Sequence, residues 1–375
     1  MNIGIDIRAL SSSRLSGVGR YVYNSIKYIL ELDRKNNYYL ISTGLKDVPP
    51  EWLNFKYDNI HHIHWHFSNK IINLLTVFGL GPDLTKKIPV KLDLFWLANI
   101  NFFKFPKDVP VILTIHDLSF LHSRQFYSLK RRLWHKLVNV RKLARKANLI
   151  IAVSENTKRD IMRFFTVDDD KITVIYPGVS TKNITLEEAN NLLAPYKLKD
   201  KYFLYVGTLE PRKNINAIIK AFAHYHSDYP DTELVIVGAK GWIYQGILRS
   251  IAKRSYIHYL NYVDGPSKNA LYSQAQALIW PSFYEGYGFP PLEASYYNIP
   301  VITSYKTSLP EIMKDKALYV DPYNVSDIYK LLVNLTEHKD LYDFSVNNNH
   351  NFVLPRHEKQ AQRIIRQFYK FKNDQ

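Results

Sequence analysis

The chain has 375 residues, 46% of them hydrophobic, which is enough to bury a sizeable core and excludes wholesale disorder. It has no cysteine, which rules out disulfides, thiolate metal sites and cysteine nucleophiles together and suits a cytoplasmic protein. Lysine and arginine outnumber acidic residues by 50 to 34, and this formal charge of +16 points to nucleic acid, anionic lipid or a phosphorylated substrate as partner.

The opening MNIGIDIRAL lacks the basic start and apolar run of a signal peptide. No stretch reaches the roughly 18 apolar residues of a membrane span. The longest apolar-leaning region, residues 91–103, is interrupted by Asp93 and two asparagines. Short apolar runs alternate instead with helix-period segments, the pattern of a parallel sheet covered by helices. Residues 2–7 read as the first strand. A loop containing SGVGRY (16–21) follows, then a helix with Val18, Val22, Ile26 and Ile29 on one face. Further strands are expected at 38–43, 111–115, 149–153 and 172–176, with Ser154 capping a helix through 155–165.

The alternation then starts afresh, with strands expected at 202–207, 233–238, 256–263, 277–282, 300–304 and 317–322. Two such starts imply two doubly wound α/β domains joined within residues 193–201. Open sheets of this kind bind ligands at the carboxyl ends of their strands. The residues just after each strand are therefore the functional candidates.

Three stretches stand there. GTLEPRKNI (207–215) ends a strand in glycine and places Arg212 and Lys213 where the next helix begins. Two cations beside free helix N–H groups make a diphosphate site, although a solvated basic turn would look the same. SGVGRY offers Gly17 and Gly19 for close backbone approach to a phosphate, and is only part of a dinucleotide fingerprint. SFYEGYGFPPLEAS (282–295) is the most specific. Pro290 and Pro291 suit the first positions of a helix, Glu285 lies in the turn before it, and Glu293 falls in the helix's first turn. Gly286 and Gly288 expose backbone N–H groups, and a carboxylate can accept two ribose hydroxyls. The plainer alternative is that Glu293 only favours the helix dipole.

Glu285 and Glu293, spaced as Glu-x7-Glu inside PSFYEGYGFPPLEAS and followed by PVI, resemble the motif of the retaining GT-B glycosyltransferases of family four. The likeness runs through GIDIRAL, SGVGRY, LTIHDL, AVSENTKRDI, YPGV, GTLEPRKN, VGAKGW, LNYV and SLPEI, nearly the whole chain. It implies two Rossmann-like domains facing a cleft. Residues 1–190, joined by a returning C-terminal helix at 358–375, would bind the acceptor, and residues 191–357 the nucleotide sugar. Arg212 and Lys213 would hold the diphosphate, Glu293 the ribose, and Glu285 the donor sugar. The backbone of Gly286, Tyr287, Gly288 and Phe289 would line sugar and phosphate. Gly17 and Gly19 would cover the diphosphate, Val263 would meet the base, and His116 would contact the transferred sugar. No metal and no cofactor beyond the nucleotide-sugar co-substrate is implied, since the leaving phosphate itself takes the acceptor's proton.

The resemblance is strongest to bacterial mannosyltransferases of surface-polysaccharide and lipopolysaccharide assembly. It implies GDP-mannose first and UDP-linked glucose, N-acetylglucosamine or galactose next, with a glycan or lipid-linked glycan as acceptor. A nucleotide-sugar epimerase or a pyridoxal-dependent phosphorylase on the same fold, and a basic nucleic-acid-binding protein, are the competing readings. The ordered motifs weigh against all three, so no nucleic-acid partner is expected. Two residues depart from the family pattern: Thr208 where many members carry arginine, and Asn298 where glycine is common.

Three further stretches attract attention. VDDDK (167–171) imitates a metal-binding carboxylate motif but sits as a solvated turn would. HHIHWH (61–66) puts His62, His64 and His66 on one strand face with no further ligand in view. Residues 128–148 read as one basic amphipathic helix with Leu129, Leu133 and Leu137 in the core. An equally open reading is a face drawn to the inner, anionic membrane surface or to a lipid-diphosphate acceptor.

Overall fold

The computed structural model describes residues 1–350 and 353–371. In chain order the elements begin with β1 (Asn2–Asp6), α1 (Gly17–Leu32), β2 (Asn37–Gly44), β3 (Ile60–His66) and α2 (Asn69–Val77). Next come β4 (Leu94–Leu97), β5 (Val111–Ile115), α3 (Ser119–His122), α4 (Leu129–Val138) and α5 (Val140–Lys146). β6 (Leu149–Ala152), α6 (Glu155–Phe165) and β7 (Ile172–Val174) close this sheet, whose order is β3-β2-β1-β4-β5-β6-β7. Every pairing in it is parallel.

The second series runs α7 (Leu186–Leu193), β8 (Tyr202–Val206), α8 (Ile215–Asp228), β9 (Glu233–Val237), α9 (Gln245–Ala252) and β10 (Ile257–Tyr259). It continues with α10 (Gly265–Gln274), β11 (Ala277–Trp280), α11 (Phe289–Tyr296), β12 (Val301–Ser304), α12 (Leu309–Met313) and β13 (Leu318–Val320). α13 (Val325–Glu337), α14 (Lys339–His350) and α15 (His357–Lys370) end the chain. Its parallel sheet has the order β10-β9-β8-β11-β12-β13. In both sheets the order reverses beside the first strand, which creates the switch point where doubly wound folds bind ligands.

The chain forms two compact units: Met1–Leu118, Leu129–Gly178 and Pro355–Gln375 in one, Ser119–Ser128 and Val179–Leu354 in the other. The change between them falls at 178/179, earlier than the expected 190/191. α7 packs on α10, so residues 179–190 go with the second unit. In the first unit α15 packs on α1, and Gln360 links them: it accepts from the Gly178 N–H (2.7 Å) and donates to Ser25 Oγ (2.7 Å). The last residues of the expected C-terminal helix, 372–375, lie outside the described residues.

Most of the expected strands form because they are apolar enough to be buried on both faces, as strands between two helical layers must be, whereas the edge strands β10 and β13 are only partly buried. β1, β5, β6 and β8 are buried almost throughout. β4 was not expected as a strand. Its four residues, LFWL, are embedded in a longer apolar stretch whose length masks the strand, and all four are buried. SGVGRY is not a loop: Ser16 caps α1 by accepting from the Gly19 N–H (3.2 Å), so both glycines lie in the helix's first turn. The expected single helix at 128–148 is two, broken at Asn139, which adopts φ +51° and caps α5. Leu129, Leu133 and Leu137 are 80%, 56% and 41% exposed, so they are not core residues. Asn298 takes φ +55°, which asparagine tolerates better than other non-glycine residues, and so serves where glycine is common.

Gly238, just past β9, has φ +148°, and an added Cβ would lie 1.9 Å from the Gly207 carbonyl oxygen past β8. Backbone cannot yield there, so Gly238→Ala should cost about 2 kcal/mol or more. Gly246, in the first turn of α9, has nothing within 4 Å of such a Cβ. Gly246→Ala should be neutral or stabilise by up to about 1 kcal/mol. Thermal unfolding of the two variants, expected to move in opposite directions or by very different amounts, checks the geometry of these strand ends.

Candidate active site

The connection from β8 to α8 is held before it reaches the helix. Pro211–Lys213 form a single 3-10 turn, and Asn214 follows at φ +59°. The Asn214 side chain donates to the Pro281 (3.1 Å) and Pro322 (2.6 Å) carbonyls, tying the turn to residues beyond β11 and β13. The Phe283 N–H donates to the Arg212 carbonyl (3.0 Å). Arg212 and Lys213 therefore precede α8 rather than open it.

This turn presents both cations to Glu285. Lys213 Nζ lies 2.7 and 2.8 Å from the two carboxylate oxygens. Arg212 Nη1 reaches Glu285 Oε2 (3.2 Å) and the Tyr284 carbonyl (2.8 Å), while Nη2 pairs with Glu210 Oε1 (2.6 Å). Lys213 also stands over the Trp280 ring, 4.7 Å from its centroid. Glu210, Lys213 and Glu285 are all buried. Two cations and two carboxylates thus form a desolvated cluster of no net formal charge. Burial raises the pKa of Glu285, but Lys213 and Arg212 outweigh it and hold the carboxyl below its ordinary range. Burial, joined by Arg212, pushes Lys213 down against the pull of Glu285 and Glu210.

The β11–α11 turn is fastened from a third connection. The Glu285 N–H donates to Thr307 Oγ1 (2.9 Å), and Ser308 Oγ donates to the Glu285 (3.1 Å) and Tyr287 (2.7 Å) carbonyls. Thr307 has φ +56°, a conformation that is an outlier for a β-branched residue. Gly288 has φ +115°, and Gly286, Tyr287 and Gly288 are all buried, with Phe289 half-buried at the start of α11. Pro290 and Pro291 occupy the helix start as expected. Glu293 does not fall in the first turn. It is the fifth residue of α11, so its placement owes little to the helix dipole. Lys268 Nζ contacts Glu293 Oε1 (2.5 Å) and Tyr272 Oη donates to Oε2 (3.0 Å), with all three side chains buried. Val263 is buried just before Asp264, the cap of α10, the helix that carries Lys268 and Tyr272.

The remaining candidates belong to the first unit. His116 follows β5 and is half-buried, with Nε2 3.1 Å from the Ala98 carbonyl. The carbonyl only accepts, so Nε2 carries the proton and Nδ1 keeps its lone pair. Burial pushes the pKa of His116 down to about 4, against the Ala98 bond and Asp117, so the ring is neutral at pH 7. Tyr21, from SGVGRY, meets His116 edge-on at 4.6 Å between centroids, which brings the start of α1 beside the end of β5. Gly17 at that start is exposed with open space around it, whereas a Cβ at Gly19 would crowd the Ala9 carbonyl at 3.1 Å.

Two family models match the chain: Glycosyltransferase Family 4 over residues 15–183 and Glycosyl transferases group 1 over residues 194–351. The chain belongs to the family-four glycosyltransferases. O-antigen chain mannosyltransferase B of Escherichia coli is 33% identical to this glycosyltransferase over 239 residues, 61% of each chain. O-antigen chain mannosyltransferase RfbU of Salmonella typhimurium is 29% identical over 242 residues, 61% of this chain and 65% of that one. The matches therefore span less than two thirds of either relative. The crystal structure of HepE from Anabaena in complex with UDP and glucose has the same fold, with a TM-score of 0.71 at 14% identity and 99% of this chain covered.

Sequence reasoning missed the partners of both glutamates in this glycosyltransferase. Glu210 stands within the quoted GTLEPRKNI but was passed over for the cations beside it. Lys268 and Tyr272 are four apart on a helix opened by Asp264 and Pro266, so helical spacing alone puts them on one face. That this face meets Glu293 depends on α10 packing against α11, which no local signal announces. Thr307 is an ordinary loop residue, and Ser308 opens the quoted SLPEI without a role of its own, until the fold brings both to the Glu285 backbone.

The other stretches resolve plainly. Residues 169–171 form an exposed 3-10 turn in which Asp169 pairs with Lys158 at 2.8 Å. Among the described residues Asp47, His64 and His66 come close enough to share an ion. His64, however, already bonds Ser42 Oγ (2.7 Å) and the Gly44 carbonyl (3.1 Å) through its two ring nitrogens. A cavity of about 300 Å³ lined by Lys201, Phe203, Tyr229 and Gln276 opens at the amino ends of β8 and β11, the opposite end of the sheet from the clustered glutamates.

Glu285→Gln should remove the charge that balances buried Lys213 and destabilise the protein at pH 7 by about 3 kcal/mol or more. A carboxylate with a depressed native pKa stabilises above its unfolded value, near 4.3, and loses that contribution as pH falls through the lower native value. The gap in unfolding midpoint between wild type and Glu285→Gln should therefore narrow below about pH 4.3. A gap that stays constant down to strongly acidic pH would show that the ion pairs contribute nothing.

Proposed function

We propose that the protein transfers mannose from GDP-mannose to a hydroxyl of a glycan or lipid-linked glycan, with retention of anomeric configuration, in bacterial surface-polysaccharide assembly. The observation that carries this reading is a pair of buried carboxylates, Glu285 in the β11–α11 turn and Glu293 one helical turn into α11, each with different partners. Glu285 is tied to Arg212 and Lys213, Glu293 to Lys268 and Tyr272. Such an arrangement suits a ligand with charge at one end and vicinal hydroxyls at the other. The names of the two O-antigen mannosyltransferases support mannose as the sugar.

In this reading the bond from the anomeric carbon to the diphosphate oxygen breaks while the acceptor oxygen attacks from the same face. The acceptor's proton passes to the departing phosphate, so no metal and no carboxylate nucleophile are required. Arg212 and Lys213 meet the charge that builds on the diphosphate, where fixed, desolvated cations act most strongly. Glu293 accepts from the ribose hydroxyls, and Glu285 from the sugar. The Gly286–Phe289 backbone lines the ligand, Val263 meets the base, and Gly17 and Gly19 approach the diphosphate. Neutral His116 offers Nδ1 as an acceptor to a hydroxyl of the transferred sugar. The same reading places the reaction in the cytoplasm.

GDP and GDP-mannose should raise the thermal unfolding midpoint where UDP, ADP and their conjugates do not, and Glu293→Ala should abolish that shift. Loss of hydrogen bonds to a charged acceptor should lower kcat/KM about 10- to 150-fold in the same variant. A shift from UDP or ADP alone would reassign the donor, an inverted product by proton NMR would overturn retention, and no shift from any nucleotide would overturn the site.

A further inference from the structure

The outward face of α4 is not covered by any other part of the chain among the described residues. Every residue from 129 to 137 except His135 is exposed, and Val138 is the buried end of the helix. Leu129, Leu133 and Leu137, at intervals of four, form one stripe on the exposed side. Arg132 and Lys136 make the adjoining row on one flank, and Lys130 and Trp134 the row on the other. Residues 129–146 contain eight basic and no acidic side chains, and the cations of α5 are exposed as well. Leucine on a solvated helix face is unfavourable unless something covers it, and the cations on both sides of the stripe specify what does.

We infer that α4 lies on the surface of a bilayer containing anionic phospholipid, with its leucine stripe among the acyl chains and its basic rows at the headgroups. Among the described residues no helix is long and apolar enough to cross a membrane, so the contact is peripheral. A nucleic acid would engage the cations and leave three leucines in water, whereas a lipid surface satisfies both features at once. Trp134, 37% exposed with its ring edge-on to Phe102, has the amphipathic shape that favours the interfacial layer. α2 exposes apolar residues too, including Leu74, Phe78 and Leu80 at and beyond its end, but no such cationic rows flank them. Charge complementarity thus selects α4.

The test is sedimentation of the full chain with vesicles of phosphatidylcholine alone and of phosphatidylcholine mixed with phosphatidylglycerol. Wild type should partition onto the anionic vesicles at least about tenfold more strongly, and less so in high salt. Leu133→Ser/Leu137→Ser and, separately, Lys130→Gln/Arg132→Gln should each weaken that partitioning about tenfold. Because these side chains are exposed, the unfolding midpoint should stay at the wild-type value, which separates lost contact from lost fold. No binding by wild type, or undiminished binding by either variant, overturns the inference. So does a wild-type dimer in solution that the leucine variant converts to monomer while vesicle binding is unchanged. Binding to single-stranded RNA that exceeds vesicle binding and ignores the leucine substitutions assigns the face to nucleic acid instead.

Discussion

The second unit depends on one buried carboxylate. Glu285 is the point at which three strand-end connections meet. The β8–α8 turn brings Arg212 and Lys213 to its oxygens, the β11–α11 turn carries its backbone, and the β12–α12 turn grips that backbone through Thr307 and Ser308. Removing the charge leaves a lysine buried beside an arginine. Keeping it satisfies both cations and fixes the path of a loop that holds two glycines and would otherwise have many conformations. A buried ion pair is nonetheless weak evidence for stability, because well-packed apolar residues serve as well or better. Four charges gathered where a parallel sheet offers its ligand site are better explained by chemistry than by folding.

Glu293 shows the same logic with different partners. It lies one helical turn into α11, past the reach of the dipole, and its oxygens are held separately by an ammonium and a phenol. One carboxylate therefore faces two cations and the other faces one cation and a hydroxyl, although only seven residues separate them in sequence. The tight start of α11, with Gly288 at φ +115° and two prolines at the helix start, sends the two side chains to different neighbours. Spacing in the sequence identified the pair, and the backbone between them explains why their surroundings differ.

Much of the fold was legible because strands buried on both faces must be apolar throughout, and such runs are easily read. β4 escaped because LFWL sits inside a stretch too long to look like one strand. The amphipathic pattern at 128–148 identified which leucines share a face and left open whether that face meets the core or a membrane, and the exposure of Leu129, Leu133 and Leu137 sets aside the core. Periodicity fixes the first and is silent on the second, since an interior and a lipid surface ask for the same stripe. The break at Asn139 was equally hidden, because its left-handed backbone is a property of the packed chain and not of the residue alone. The glutamates and cations of the site were visible as motifs. Lys268 and Tyr272 were not, because their meeting with Glu293 joins residues 21 to 25 positions apart through the packing of α10 on α11.

The carboxylates also determine what Lys213 can be. Burial and a neighbouring arginine both drive its ammonium toward the neutral amine, and Glu285 and Glu210 are the charges that oppose them. A neutral lysine would be useless to a departing diphosphate. An exposed one would be charged but wrapped in water that must reorganise as the leaving group develops. Surrounding the lysine with two glutamates and placing it over the Trp280 ring keeps a cation dry and fixed in advance. The cost is that the cluster has no net formal charge with which to attract an anion. Affinity for a diphosphate would then come from cations that turn part of their field from Glu285 to the ligand, a transfer that gains most as charge builds on the leaving oxygen. On the proposed reading this arrangement would bind the leaving group better as its charge forms than at rest, which is the differential that catalysis requires.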